Sequence, residues 1–262
     1  MTACVIRQGA LGDFILTIPL LKALAAKGSL NLICSRRHRE LISHDIEIAR
    51  WLDSDSSDAA TLYSECPNSA TCSMLDGCEV HSFQRINWHG VVYHNPKPSE
   101  PPSAARRFME EAGFDVPDDF EMTPPLQRKN ATGDSLWIHT GSGSPAKNVP
   151  PEYWIAMLTK TPYNNIIMSF GECEMASADL WRKAFHEAGI AIESVECPTL
   201  SELRRLLSEL AAEYWGVDTG VTHLAAALGI PVKAVFRCTD SRIWRPLGNV
   251  SILQYCGGRH AK

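Results

Sequence analysis

No apolar run in this 262-residue chain approaches the roughly 18 residues needed to span a bilayer. A transmembrane helix is therefore not expected. No basic stretch precedes an apolar one at the start, which reads Met1-Thr2-Ala3-Cys4-Val5-Ile6, so a secretory signal is not expected. Basic excess is missing as well. The formal net charge is −5, which leaves no electrostatic footprint for nucleic acid. It also argues against a broadly basic membrane-facing surface, apart from the local cluster Ser35-Arg36-Arg37-His38-Arg39. The expectation is a cytoplasmic protein with no nucleic-acid partner.

Closely spaced cysteine pairs are absent. Zinc sites usually carry C-x₂₋₄-C pairs, whereas Cys66, Cys72 and Cys78 are spaced by six. They read as incidental thiols in a loop, and no metal site is expected. Two phosphate signatures are also missing. The first turn is not G-x-G-x-x-G, and G-K-[ST] does not occur. No repeat of solenoid type is present.

What is present is an ordinary soluble composition, 45% hydrophobic and 21% charged. Short apolar runs alternate with longer amphipathic ones, the βαβ rhythm of doubly wound parallel sheets. Strands are expected at 3–7, 30–34, 88–94, 136–139, 165–170, 191–195, 213–217 and 232–236. Helices are expected at 14–26, 106–112, 151–159, 175–188 and 222–228, the last two closed by Gly189 and Gly229. Thr199-x-x-Glu202 is a capping box that opens another helix. The polar segment 54–80 has no clear pattern. The segment 123–134, with its Pro pair and charged residues, reads as a linker, dividing the chain into domains 1–130 and 131–262.

Three strand-end segments carry chemistry. Gly9-Ala10-Leu11-Gly12-Asp13 follows the first strand, and its glycines permit a sharp turn and close approach to a ligand. An acid there repels pyrophosphate, so Asp13 is better placed to accept a proton. Taken alone, the segment fits a helix-capping aspartate better. Asp218-Thr219-Gly220-Val221-Thr222-His223 lies between a strand and a helix of small residues. Free N–H groups at such a helix start suit a diphosphate, and His223 is near enough to add a donor. Capping by Asp218 and local bonding by His223 are the plainer alternatives. Third, His139-Thr140-Gly141-Ser142-Gly143-Ser144-Pro145-Ala146-Lys147 offers hydroxyls, amides and a cation, or else is a plain solvated loop. A ligand cleft at the carboxyl edge of parallel sheets needs such loops, and their joint occurrence says more than any one.

Together the segments 9–24 (GALGDFILTIPLLKAL), 139–151 (HTGSGSPAKNVPP) and 216–248 (GVDTGVTHLAAALGIPVKAVFRCTDSRIWRPLG) resemble glycosyltransferase family 9, the heptosyltransferases of lipopolysaccharide cores. The resemblance implies an α/β protein of GT-B architecture, two Rossmann-like domains facing a central cleft, with the N-terminal one reduced here. It implies an inverting enzyme that uses an ADP-sugar as co-substrate, with no catalytic metal or further cofactor. Asp13 is then the general base. Thr219, Gly220 and His223 are the diphosphate site, Lys147 the phosphate-side cation, and Ser142 and Ser144 hydroxyl donors. Asp218 is the acid near the sugar. An acid of Gly171-Glu172-Cys173-Glu174 meets the ribose, with Glu174 assigned and Glu172 the alternative. Leu200 is a candidate for the base pocket or a simple core leucine. The implied acceptor is a glycan or lipid-linked saccharide, which brings peripheral contact with the inner membrane face. Two departures concern the acceptor: the first half is short for the family, and little chain follows Cys256-Gly257-Gly258 for a C-terminal helix.

Two other readings compete. One is a nucleotide-sugar-binding protein of the same fold without transfer activity, against which Asp13 speaks. The other is a dinucleotide oxidoreductase, which requires G-x-G-x-x-G and an acid after the second strand. Here Ser35-Arg36-Arg37 stands in that place.

Overall fold

A computed structural model describes residues 1–42, 46–64, 67–126, 128 and 133–257. The chain divides into two compact units, Met1–Glu121 and Met122–Lys262. The division precedes the sequence-based boundary at 130/131 because the intervening chain is tied to the second unit. Leu126 N–H donates to the Ala227 carbonyl at 2.9 Å, and Arg128 Nη1 donates to the Ala211 carbonyl at 2.7 Å. Cys66 lies outside the described residues.

The first unit contains β1 (Thr2–Ile6), α1 (Leu11–Lys27), β2 (Ser29–Cys34), α2 (Arg36–Ile42), β3 (Arg50–Asp53), α3 (Ser57–Ala60), α4 (Ser69–Leu75), β4 (Cys78–Ser82), β5 (Val91–Tyr93) and α5 (Ala104–Glu111). Its five strands are all parallel, in the order β3-β2-β1-β4-β5. Strand β1 is central, so Cys4, Val5 and Ile6 are fully buried, as apolar runs of parallel sheets are. The unpatterned segment 54–80 holds two short helices, each started by a polar cap. Ser56 accepts from Ala59 N–H, and Asn68 accepts from Thr71 N–H.

The second unit contains β6 (Ser135–His139), α6 (Pro151–Leu158), β7 (Ile166–Phe170), α7 (Ala178–Glu187), β8 (Glu193–Glu196), α8 (Leu200–Leu210), β9 (Ala211–Val217), α9 (Gly220–Ala227), β10 (Val232–Phe236), α10 (Ser241–Trp244) and β11 (Val250–Gln254). Its sheet is also parallel, in the order β11-β10-β9-β6-β7-β8. Trp137, Trp154, Phe170 and Phe185 fill its core. Thr199 caps α8, its hydroxyl accepting from Glu202 N–H at 3.2 Å.

Both orders reverse direction at one place, between β1 and β4 in the first sheet and between β6 and β9 in the second. Ligands of doubly wound sheets bind outside the carboxyl ends of strands at that reversal. The three chemistry-bearing segments leave β1, β6 and β9 there.

Candidate active site

In the second unit the geometry begins beneath the strand ends. The Tyr214 hydroxyl lies 3.1 Å from Thr222 Oγ1, and Thr222 Oγ1 in turn donates to the Val217 carbonyl. This buried chain ties the first turn of α9 to β9. The helix then starts bare: Thr219 occupies the N-cap in extended backbone, and its side chain makes no cap bond. Helices α3, α4, α5, α8 and α10 are capped by side chains, whereas α1, α6 and α7 start bare as α9 does. The first-turn N–H groups of α9 are thus left for something else.

Asp218 sits just before this helix, 4% exposed. Its Oδ2 accepts from Lys147 Nζ at 2.7 Å and from Thr239 Oγ1 at 2.6 Å. Its Oδ1 faces His223 Nε2 at 3.5 Å. Burial alone pushes the Asp218 carboxyl up, but His223, Lys147 and Thr239 outweigh it and hold it well below the usual carboxylate range. His223, equally buried, leaves its Nδ1 without a partner among the described residues. Such an orphan is costly unless something fills it.

The loop after β6 supplies the rest. Ser142 Oγ accepts from Ser144 N–H at 3.1 Å, which curls the loop, and Lys147 reaches Asp218 from its far end. Glu174 answers from the loop after β7. It is buried, and its Oε2 accepts from Gly171 N–H at 2.8 Å. A Cβ on Gly141 would stand 2.1 Å from Glu174 Cγ, so Gly141 exists to admit this carboxylate. Glu172 is exposed, and the two acids are thereby distinguished. His139 belongs to the core: its Nδ1 lies 3.0 Å from the Ser169 carbonyl, and burial drives its pKa down. Leu200 is half-buried at the first position of α8.

In the first unit, α1 begins earlier than expected, at Leu11. Ala10 is the N-cap and makes no side-chain bond, so Asp13 lies inside the first turn rather than at the cap. Gly9 adopts a φ of +126°, a region open mainly to glycine, and this brings the turn 3.4 Å from Asp13 Oδ2, measured to its ideal Cβ. Asp13 Oδ1 lies 3.9 Å from Nη2 of Arg7, whose side chain is 2% exposed.

A family model described as glycosyltransferase family 9 (heptosyltransferase) matches residues 121–257, the segment that contains every residue of the second site. The chain belongs to glycosyltransferase family 9. Solved structures agree in fold at low identity. A family 9 glycosyl transferase from Veillonella parvula aligns with a TM-score of 0.70 and 13% identity, over 97% of this chain and 86% of that one. E. coli heptosyltransferase WaaC, solved with ADP, aligns at 0.68 and 17%, over 97% and 93%. E. coli ADP-heptose lipopolysaccharide heptosyltransferase II aligns at 0.69 and 15%, over 98% and 92%. No curated protein sequence matches.

The family 9 chain thus has two Rossmann-like units, as the heptosyltransferases do. Ser142, Lys147, Glu174, Asp218, Thr219, Gly220 and His223 share one edge of the second sheet, and Ser144 stands exposed on the same loop. Sequence reasoning missed Thr239 and Arg7. Each follows an apolar strand directly or nearly so, and the strand-end rule applied to β10 would have found Thr239. Among the described residues, no group of three or more His, Cys, Asp or Glu could hold a metal ion, and no helix is long and apolar enough to cross a membrane. Cys72 and Cys78 are free thiols.

Proposed function

We propose that this family 9 protein is an inverting, metal-independent glycosyltransferase. It moves a sugar, heptose first among the candidates, from an ADP-sugar to a lipopolysaccharide-type or other glycan acceptor. The observation that carries the reading is the bare start of α9 with the orphan Nδ1 of His223 beside it. Unsatisfied N–H groups and the helix dipole suit a diphosphate. The donor's identity is supported by a relative: WaaC has been solved with ADP and with ADP-2-deoxy-2-fluoro heptose.

In this reading the Thr219 and Gly220 amides and His223 hold the diphosphate. With Nε2 turned to Asp218, Nδ1 is the His223 ring nitrogen left for the diphosphate. Lys147, Ser142 and Ser144 add charge and hydroxyls, and Glu174 accepts from the ribose. Asp218 lies toward the sugar and holds Lys147 in place. Asp13 takes the proton of the acceptor hydroxyl as that oxygen bonds to the anomeric carbon. The bond from that carbon to the diphosphate breaks, its electron pair leaves with ADP, and the donor-site cations stabilise the leaving charge. A lipid-linked acceptor would bring the protein to the inner membrane face.

Calorimetry with ADP tests the donor site. Binding should be abolished in Thr219→Arg and kept in Asp13→Asn. ADP release from ADP-heptose with a lipid A-core extract tests transfer. Absence of ADP binding, or binding that survives Gly220→Trp, rejects the assignment. ADP binding without release would mark a binding protein.

A further inference from the structure

The cation behind Asp13 has no role in the reading above. Arg7 ends β1 and is buried. Its guanidinium carbon lies 4.3 Å from the Phe83 ring centroid and 5.7 Å from that of Phe108. Its Nε and Nη2 have no hydrogen-bond partner among the described residues. Burying a guanidinium with unused donors is costly, and the aromatic faces compensate only in part. Burial lowers the Arg7 pKa to about 10, with Asp13 opposing, so the group stays cationic at neutral pH.

The other polar groups near Arg7 do not neutralise it. His38 is stacked on Phe14 with ring centroids 4.5 Å apart. His94 is stacked on Phe83 at 4.8 Å. Burial, and the charge of Arg7 itself, push both rings toward the neutral form. Glu111 is taken up by His94 Nδ1 at 3.0 Å. The carboxylate that acts on Arg7 is that of Asp13, at 3.9 Å. That separation is too long for a hydrogen bond and short enough for charge attraction, which solvent screens in part because the Asp13 side chain is 34% exposed.

We infer that Arg7 is a positioning residue for Asp13: its buried guanidinium orients the carboxylate by charge, without a hydrogen bond, and so leaves the oxygens free to take the acceptor proton. A side chain at Gly9 would crowd the carboxylate, since a Cβ built there would stand 3.4 Å from Oδ2. Among the described residues the Asp13 carboxylate thus has the Arg7 charge nearby and no hydrogen-bond donor on its oxygens. A direct fork-like ion pair would orient it equally well but would occupy the lone pairs the reaction uses.

The inference rests on Asp13 being the base, and two readouts keep the two claims apart. ADP release from ADP-heptose with a lipid A-core extract is measured for Arg7→Gln, Arg7→Lys, Asp13→Asn and the double variant Arg7→Gln/Asp13→Asn. Arg7→Gln should lower kcat at least tenfold, with the KM for ADP-heptose and the Kd for ADP unchanged within about twofold. Arg7→Lys should recover most of the loss. In the Asp13→Asn background Arg7→Gln should cost nothing further. Equal losses in Arg7→Lys and Arg7→Gln, or a loss that persists in full without Asp13, would overturn the inference. If Asp13→Asn itself keeps full activity, the base assignment is what has failed. Thermal unfolding of the same four proteins needs no acceptor. Coupled residues give a double-variant Tm shift smaller than the sum of the single shifts, and a plain sum rejects the coupling.

Discussion

The Tyr214 hydroxyl occupies the space that a side chain on Gly216 would need. A Cβ built on Gly216 would stand 2.6 Å from that hydroxyl and 2.9 Å from the His139 carbonyl. The hydroxyl then meets Thr222 in the first turn of α9. The absence of one side chain in β9 thus lets another side chain anchor the helix start that is assigned to the diphosphate.

Gly216→Ala should therefore be costly, although it is chemically mild. Overpacking of this kind costs about 1–3 kcal/mol, and the displaced Tyr214 would shift α9. A lower Tm together with weaker ADP binding is expected. Tyr214→Phe should lose about 1 kcal/mol through the missing hydrogen bond. An unchanged Tm in Gly216→Ala would show that the strand end yields freely.

Glu174 and Glu172 should separate clearly in binding. Glu174 is buried against Gly141 and bonded to Gly171 N–H, while Glu172 is exposed. Glu174→Ala is expected to weaken ADP binding by roughly tenfold or more, the scale of a lost hydrogen bond to a charged group. Glu172→Ala should change it less than about twofold. Gly141→Ala should mimic Glu174→Ala by displacing the carboxylate. The reverse ranking of the two acids in calorimetry would move the ribose contact to Glu172.

Lys147 and Asp218 should fail together. Lys147→Met removes one partner of a largely buried pair and leaves Asp218 with Thr239 and His223. Because Lys147 is partly exposed, a loss of about 2 kcal/mol is expected rather than the larger figure for a fully buried pair. In Asp218→Asn, Lys147→Met should add little, and ADP binding should fall in either single variant. Additive losses in denaturant unfolding would contradict the pairing.

Acid should destabilise the first unit. His38 is lowered to about 4 and His94 to about 3, chiefly by burial. Below about 6.5 the unfolded chain takes up protons at these rings that the folded chain refuses, so stability is full above that pH and falls as pH drops toward 4. The loss approaches 1.4 kcal/mol per pH unit per ring, or about 2 kcal/mol each at pH 5. Unfolding between pH 7.5 and 5 should show at least this slope, because burial lowers His81 and His139 as well, and His38→Phe should flatten it in part. A flat profile in the unaltered protein would refute the assignment.

Much of the fold was legible along the chain because local patterns record local periods. Strand β10 falls where its apolar run ends, Thr199 caps α8, and Gly189 and Gly229 take the positive φ values that close α7 and α9. The GALGD and DTGVTH segments were recognisable because they occur together, each in a turn directly after a strand, although either alone fits a plain helix cap. Segment 54–80 was opaque because α3 and α4 are short and take their order from caps and from packing on β3 and β4. Arg7 went unnoticed because it is the last residue of the expected first strand, and the aromatic rings it packs against, Phe83 and Phe108, are far from it along the chain.

By itself the sequence determined the alternation of strands and helices, the strand-end turns that precede the key helices, and the set of residues able to bind phosphate or accept a proton. Each of these depends on neighbours within a turn or a strand. Only the tertiary structure decided that Lys147 pairs with Asp218, 71 positions away, that Glu174 rather than Glu172 is buried, and that Arg7 lies against Asp13. Those contacts follow from strand order and from which side chains the core excludes from water. Neither is written in the local pattern of the chain.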